Sequence, residues 1–510
     1  MASPRLSWLL LAALASSAGC ALVFGLDDLV VRDDAGGASS GGMGGGGADQ
    51  GGSEGGSGGE GGQGGDEGGG GEGGRGGGLL WSKTFGGTEE DFVLDMAVGP
   101  GDRVAVVGAS LGPASFGGAE LPGSGVGNED TFVAVFQADG SHLWSRRYGD
   151  TAAQRPYGVA FDSAGNVVVS GAYLGSMDFG GGYQLTSAGG QDLFLAKLAA
   201  DDGATLWAEG HGESFAQAGG RVAVASDDSI ALMGTFRGGL DFGPPTTALT
   251  GATNTWTIFV ARFTANGAPI WAAQYGDAGE QQPWDIALDA SDDILLTGTF
   301  DGNLSFGGAT LTAPTNPRVF FAALTSGGAH LRSQAWGTGG TTQVGWTVAA
   351  GPAGSAVVAG DFDGTLEFAG HPVTASAGRD AFAVKLDASG APLWSHAYGT
   401  VESNVVYAAD VDDAGRVLLG GRFEAPIDFG LGPLGHAGDG DAFVALLDAS
   451  GEALLDFALA AAGDQETTAV GFSSSGQLVA AGHFEATVHF DGVPQTSLGK
   501  RDGFLAKLQP

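Results

Sequence analysis

Four aromatic residues, Tyr157, Trp284, Trp346 and Tyr407, recur at one position of a repeat of about sixty residues. The other three copies carry Leu94, Gly220 and Thr468 there. Indole and phenol rings join an apolar face to a polar edge, which suits them to stacking on a sugar or gripping a peptide. Rings so placed can equally pack between neighbouring repeats. The position varies among copies while the packing positions do not, and variation within a repeat is where specificity enters. These four are therefore the candidate ligand-binding residues.

Other chemically capable groups have simpler readings. An acid opens the same strand-like run at Asp130, Asp192, Asp380, Asp441 and Asp502. A carboxylate there can satisfy the amides of a preceding loop; coordination of Ca²⁺ is the alternative, although no D-x-D-x-D-G loop accompanies it. The eight His are scattered, with no H-E-x-x-H, and no G-x-S-x-G sits on a strand-to-helix elbow. No thiol nucleophile is available in the repeats. The expectation is a protein without catalytic residues, cofactor or metal.

The elements that must position the rings follow from the repeat. Aligned on the Trp of an LW pair, the copies fall at Trp81, Trp144, Trp207, Trp271, Arg332, Trp394 and Leu455. Each holds four strand-like runs; in the copy from Leu143 these are Val159 to Phe161, Asn166 to Tyr173, Leu193 to Leu198 and Thr205 to Gly210. Turns such as Asp162 to Gly165, and ADDGA, ANGA or DASGA between the last two runs, carry the Asp, Asn, Ser and Gly that tight hairpins need. Seven four-stranded antiparallel units predict an all-β, seven-bladed β-propeller over residues 79–510. Counting strands leaves a spare one at its start, so Leu80 to Phe85 is expected beside Phe504 to Leu508 as the outer strand of the last blade. Short Asp/Gly hairpins then lie on one face of the ring and longer loops on the other, the face where function is expected.

Three glycine and aromatic patterns read as structure: the Gly of the VSG step (Gly108, Gly171, Gly234, Gly298, Gly360, Gly421, Gly482), the aromatic two residues later, and the acid above.

Before the repeats come two segments of other character. Residues 1–19 read as a secretory signal: Arg5, an apolar run from Trp8 to Ala15, then small residues, too short to span a bilayer. The single cysteine, Cys20, follows Ser17-Ala18-Gly19. Between Gly36 and Gly78, 27 of 43 residues are Gly, too few of the rest apolar to offset the entropy of ordering them. Residues 20–78 are expected to be a disordered, acidic tether. The chain's net charge is −37, and the repeats hold 48 acids against 18 Lys and Arg. Such a surface repels phosphates and argues against nucleic acid as a partner.

The strings GNVVVSG, DFGG and DLFLAKL, followed by G-x-x-LW, resemble the bacterial seven-bladed β-propeller repeat of secreted and lipid-anchored proteins. The G-x-x-LW element is also similar to the Trp-docking repeat of quinone dehydrogenases and of a lipid-anchored assembly propeller. The Ser-Ala-Gly-Cys segment resembles a bacterial lipobox, which implies lipidation of Cys20, with Ser17 where Leu is usual. These likenesses imply an outer-membrane lipoprotein, periplasmic or surface-exposed, carrying a monomeric propeller that binds a protein or glycan through its long-loop face. The alternatives are a carboxylate-dependent polysaccharide hydrolase or lyase in the funnel, and a structural surface-coat component.

Overall fold

In the computed structural model the described residues are 77–124, 128–277 and 279–510. Cys20 and the Gly-rich segment lie outside them. The described residues form seven antiparallel sheets of four core strands. The blades span residues 91–148, 154–211, 217–275, 281–336, 343–398, 404–459 and 465–509. Within each, the strands lie in chain order from the centre of the ring outward. The seventh blade takes its outer strand from Gly78–Gly87, antiparallel to Val493–Gln509, with Leu79 opposite Leu508 and Phe85 opposite Gly503. The only helices among the described residues are two short 3₁₀ turns, Pro100–Asp102 and Pro352–Gly354, and none is long and apolar enough to cross a membrane.

Alternating apolar residues on second and third strands build the blade cores, because each of these strands is buried on both faces. The long second-to-third-strand loop folds back onto its own blade. It plants a Phe in the core in all seven copies: Phe116, Phe179, Phe242, Phe306, Phe368, Phe429 and Phe490. The DFGG motif is therefore a core-filling device rather than a ligand loop.

The LW tryptophans join blades around the rim. Each donates its indole N–H to a carbonyl in the outer hairpin of the next blade: Trp81 to Ala138 at 3.2 Å, Trp144 to Ala200 at 3.1 Å, and Trp207 to Ala265 at 3.3 Å. Trp271 and Trp394 do the same toward Ser326 and Ala449. A glycine must lie under each ring; a Cβ on Gly203, whose φ is 67°, would approach Trp144 to 2.6 Å. Where Arg332 replaces Trp, Gln334 donates to Gly390 at 2.7 Å instead. Where Leu455 replaces it, an apolar contact with Leu79 and Leu508 takes over.

On the short-hairpin face, turn acids perform the same task. Asp228 accepts the Ser163 N–H at 2.7 Å, Asp292 accepts that of Ser226 at 2.9 Å, and Asp102 accepts that of Ser474 at 2.7 Å. All three aspartates take left-handed backbone, which Asp tolerates better than most residues. These three acids thus serve the joining of blades.

Candidate functional site

The first strand of every blade slips register at one place, between Val93 and Asp95, Pro156 and Gly158, Pro283 and Asp285, and their equivalents. The residue that the register skips is Leu94, Tyr157, Trp284, Trp346, Tyr407 or Thr468; in the third blade Gly220 and Arg221 are both skipped. A bulge re-aims the side chain of its extra residue. Every candidate aromatic therefore sits on a bulge. The recurring glycine follows from the same geometry: a Cβ on Gly421 would stand 1.9 Å from the Val405 carbonyl oxygen and 2.8 Å from the Phe443 ring.

The bulge also explains why the first strands begin earlier than expected. In the second blade the strand is Gln154–Phe161, where pattern reading starts it at Val159. Pro156 and the bulged Tyr157 interrupt the alternation that marks a strand.

Three of the four rings come together. Trp284 and Trp346, from consecutive blades, have centroids 4.3 Å apart at 45°, and Trp346 meets Tyr407 edge-on at 5.7 Å. Tyr157 stands apart, separated from Trp284 by the third blade, whose equivalent Gly220 has no ring. All four are partly exposed. The packing between blades and the exposed ring edges coexist in the same residues.

Polar groups flank the row. The Trp346 indole donates to Asp361 Oδ1 at 2.5 Å, and Arg379 lies 3.4 Å from the other oxygen of that fully buried carboxylate. In the next blade Arg422 bonds Glu424 at 2.5 Å and Asp464 at 2.9 Å, with Glu466 at 3.7 Å. Arg501 bonds Glu485 and Asp464, and His483 stands 3.4 Å from Glu466. Burial, with the Glu466 charge adding to it, pushes the Tyr407 phenol well above its usual range, so it keeps its proton as a neutral hydrogen-bonding group. Sequence reading passed over Asp361, Arg422 and His483. They occupy the position between the recurring glycine and its aromatic, where other blades have Ala109, Ala172, Thr235 and Thr299. That departure from small residues was the available signal.

Beneath the row the first strands enclose a cavity of about 340 Å³ whose polar lining includes Asp95, Arg221, Asp285, Thr347 and Asp410. These groups bind blade to blade. Asp95 forms an ion pair with Arg221 and accepts the Val159 N–H at 2.9 Å. Asp285 accepts the Val348 N–H at 2.9 Å and the Thr347 hydroxyl at 3.0 Å, while that hydroxyl accepts the Ala409 N–H at 3.1 Å. Asp410 accepts the Phe472 N–H at 2.8 Å. Burial pushes Asp285 and Asp410 each up to about 6, in Asp285 against the opposing pull of Arg221.

The acids that open the third strands hold their own loops: Asp192 accepts the Ala188 N–H at 2.6 Å, Asp441 that of Ala437 at 2.7 Å, and Asp380 that of Ser376 at 2.9 Å. Among the described residues no group of three or more His, Cys, Asp or Glu is arranged to hold a metal ion.

No family model and no curated protein matches the chain. Solved structures do. Sqt1 from Chaetomium thermophilum is 12% identical with a TM-score of 0.41, covering 84% of this chain and 98% of that one. The quinohemoprotein alcohol dehydrogenase from Comamonas testosteroni is 12% identical with a TM-score of 0.38, over 84% and 76% of the two chains. An ulvan lyase, from a polysaccharide lyase family, is 13% identical with a TM-score of 0.41, over 78% and 93%. At these scores the likenesses carry no argument about activity or ligand.

Proposed function

We propose that the protein binds a neutral glycan on its long-loop face, across Trp284, Trp346 and Tyr407. The observation that supports this is the row itself: three amphipathic rings from consecutive blades, each on a bulge, with hydrogen-bonding groups at their edges. Sugar rings present apolar C–H faces that stack on such rings and hydroxyls that bond to their surroundings. The nearby guanidiniums of Arg379, Arg422 and Arg501 are already matched by carboxylates, which leaves no surplus positive charge for an anionic chain.

Turnover has less to work with. His483 is fully buried, and Asp361 and Glu466 are held by cations or indole. A general acid or base must reach the proton that it moves.

The proposal keeps the anchor as well: a lipid on Cys20 in the outer membrane, with the Gly-rich tether holding the propeller away from the bilayer. Mass spectrometry of the N-terminal peptide tests this, and a Cys20→Ser chain should be found unlipidated. For the ligand, the full chain is applied to an array of neutral and uronate-bearing oligosaccharides beside Trp346→Ala. Binding of neutral glycans that falls at least tenfold in the variant supports the reading. Undiminished binding by the variant, capture of proteins alone, or cleavage of the oligosaccharide would overturn it.

A further inference from the structure

The seam that closes the ring differs from the other six blade junctions. In blades two to seven the first strand opens with an amide: Gln154, Gln217, Gln281, Gln343, Asn404 and Gln465. The amide has a carbonyl to accept with and an NH₂ to donate with, and in Gln154, Gln217 and Gln465 both are used. Gln154 accepts the Asp150 N–H at 3.1 Å and donates to the Leu174 carbonyl at 2.9 Å; Gln465 accepts the Ala461 N–H at 3.2 Å and donates to that of Glu485 at 3.3 Å. Beside Gln154 and Asn404 lies the buried acid of the preceding blade, Asp130 and Asp380. A Cβ on Gly149 would approach Asp130 Oδ1 to 2.1 Å and Gln154 Oε1 to 2.6 Å.

Blade one breaks the pattern with Asp91. It keeps the accepting half, taking the Gly87 N–H at 2.7 Å, and has no NH₂ to donate with. The acid of the preceding blade is Asp502. Both are 2% exposed, and both converge on Gly86, where a Cβ would stand 2.6 Å from Asp502 Oδ1 and 2.9 Å from Asp91 Oδ2. The remaining oxygen of each, Oδ1, is also buried, and the Ser110 hydroxyl stands beside the Asp91 carboxylate. Two buried carboxylates that converge on one glycine cannot both ionise there cheaply.

We propose that Asp91 and Asp502 form a proton-sharing pair that makes the closing seam of the propeller sensitive to pH near neutrality. One proton on Asp91 restores the donor that the amide supplies at the other junctions. Losing it leaves two buried anions at the junction where Gly78–Gly87 pairs with Val493–Gln509 to close the ring. Asp91 is pushed up to about 7, chiefly by burial with the Asp502 charge adding to it, against the Ser110 hydroxyl, the Gly87 N–H and the Arg147 guanidinium. Burial also raises Asp502. The other charged groups at the seam are committed elsewhere. Arg147 bonds Asp130 at 2.8 Å, Lys500 lies 3.6 Å from Glu90, and Arg501 and His483 pack on Phe92 while facing Glu485 and Glu466.

The sign follows from the raised value. A carboxyl whose folded pKa lies above its unfolded one favours the folded state at low pH, and that favour is lost as pH rises through the folded pKa. The test compares thermal unfolding of the full chain with Asp91→Asn and Asp502→Asn from pH 5 to 8.5. The wild type should lose roughly 1–2 °C relative to Asp91→Asn between pH 6 and 8.5. Protection of Gly78–Gly87 from hydrogen exchange, taken relative to the intrinsic rate at each pH, should fall over the same range in the wild type alone. A constant offset between wild type and both variants at every pH would overturn the proposal. So would a rescue of the wild type, but not of Asp91→Asn, by millimolar Ca²⁺ at pH 8, since the pair would then be a cation site.

Discussion

Trp346 and Asp361 lie on adjacent strands of the fifth blade, with the indole N–H 2.5 Å from a carboxylate oxygen that is fully buried. The bulge that frees Trp346 from the ladder also turns its ring edge toward Asp361, so one irregularity both exposes the ring and fixes it. Arg379 completes the arrangement from the loop just before the third strand, Asp380–Leu386.

Removing that carboxylate should therefore loosen the row without unfolding it. Asp361→Ala leaves the indole N–H and Arg379 without their buried acceptor, at a cost of about 1–3 kcal/mol. Glycan affinity should fall severalfold, as read by calorimetry, with Asp361→Asn losing less because its Oδ1 can still accept from Trp346.

The rim tryptophans should matter to stability rather than binding. Trp144→Phe keeps most of the packing and loses the bond to the Ala200 carbonyl. The expected loss is about 1 kcal/mol in urea unfolding, with glycan affinity unchanged.

Glycine opposite the bulge should be irreplaceable. Gly421→Ala forces a methyl into the Val405 carbonyl and should cost about 3 kcal/mol or more, seen as a large fall in the unfolding midpoint or as insolubility. Gly78→Ala meets no atom within 4 Å and should leave the midpoint nearly unchanged, which makes it the control.

Asp410 offers a pH prediction away from the seam. Burial raises it to about 6, so its contribution favours the fold below the ordinary carboxylate range and is lost as pH rises through about 6. Asp410→Asn keeps an acceptor for the Phe472 N–H and should gain about 1–3 kcal/mol on the wild type between pH 5 and 8, by denaturant titration at each pH. A variant that loses stability equally at both pH values would contradict this.

The propeller was legible because its devices repeat. A tryptophan near every sixty-second residue, an acid opening the third strand and Asp/Gly hairpins each announce themselves several times over. The bulge was not legible, since the residue it frees is Leu94 in one blade, Gly220 in another and Trp284 in a third; it is defined by backbone register rather than side-chain type. The polar flank of the row was hidden for the opposite reason. Asp361, Arg422 and His483 replace small residues in single blades, and a repeat consensus averages such departures away. Likewise Asp91 reads as one more acid among 58 until its junction is set beside six that use an amide.

The most direct test of the binding surface is hydrogen–deuterium exchange of the full chain with and without the best neutral oligosaccharide from the array. Protection is expected at Gln281–Leu288, Gln343–Ala350 and Asn404–Val411, the three first strands that carry Trp284, Trp346 and Tyr407. Protection confined to the short hairpins on the opposite face, or spread evenly over all seven blades, would contradict it.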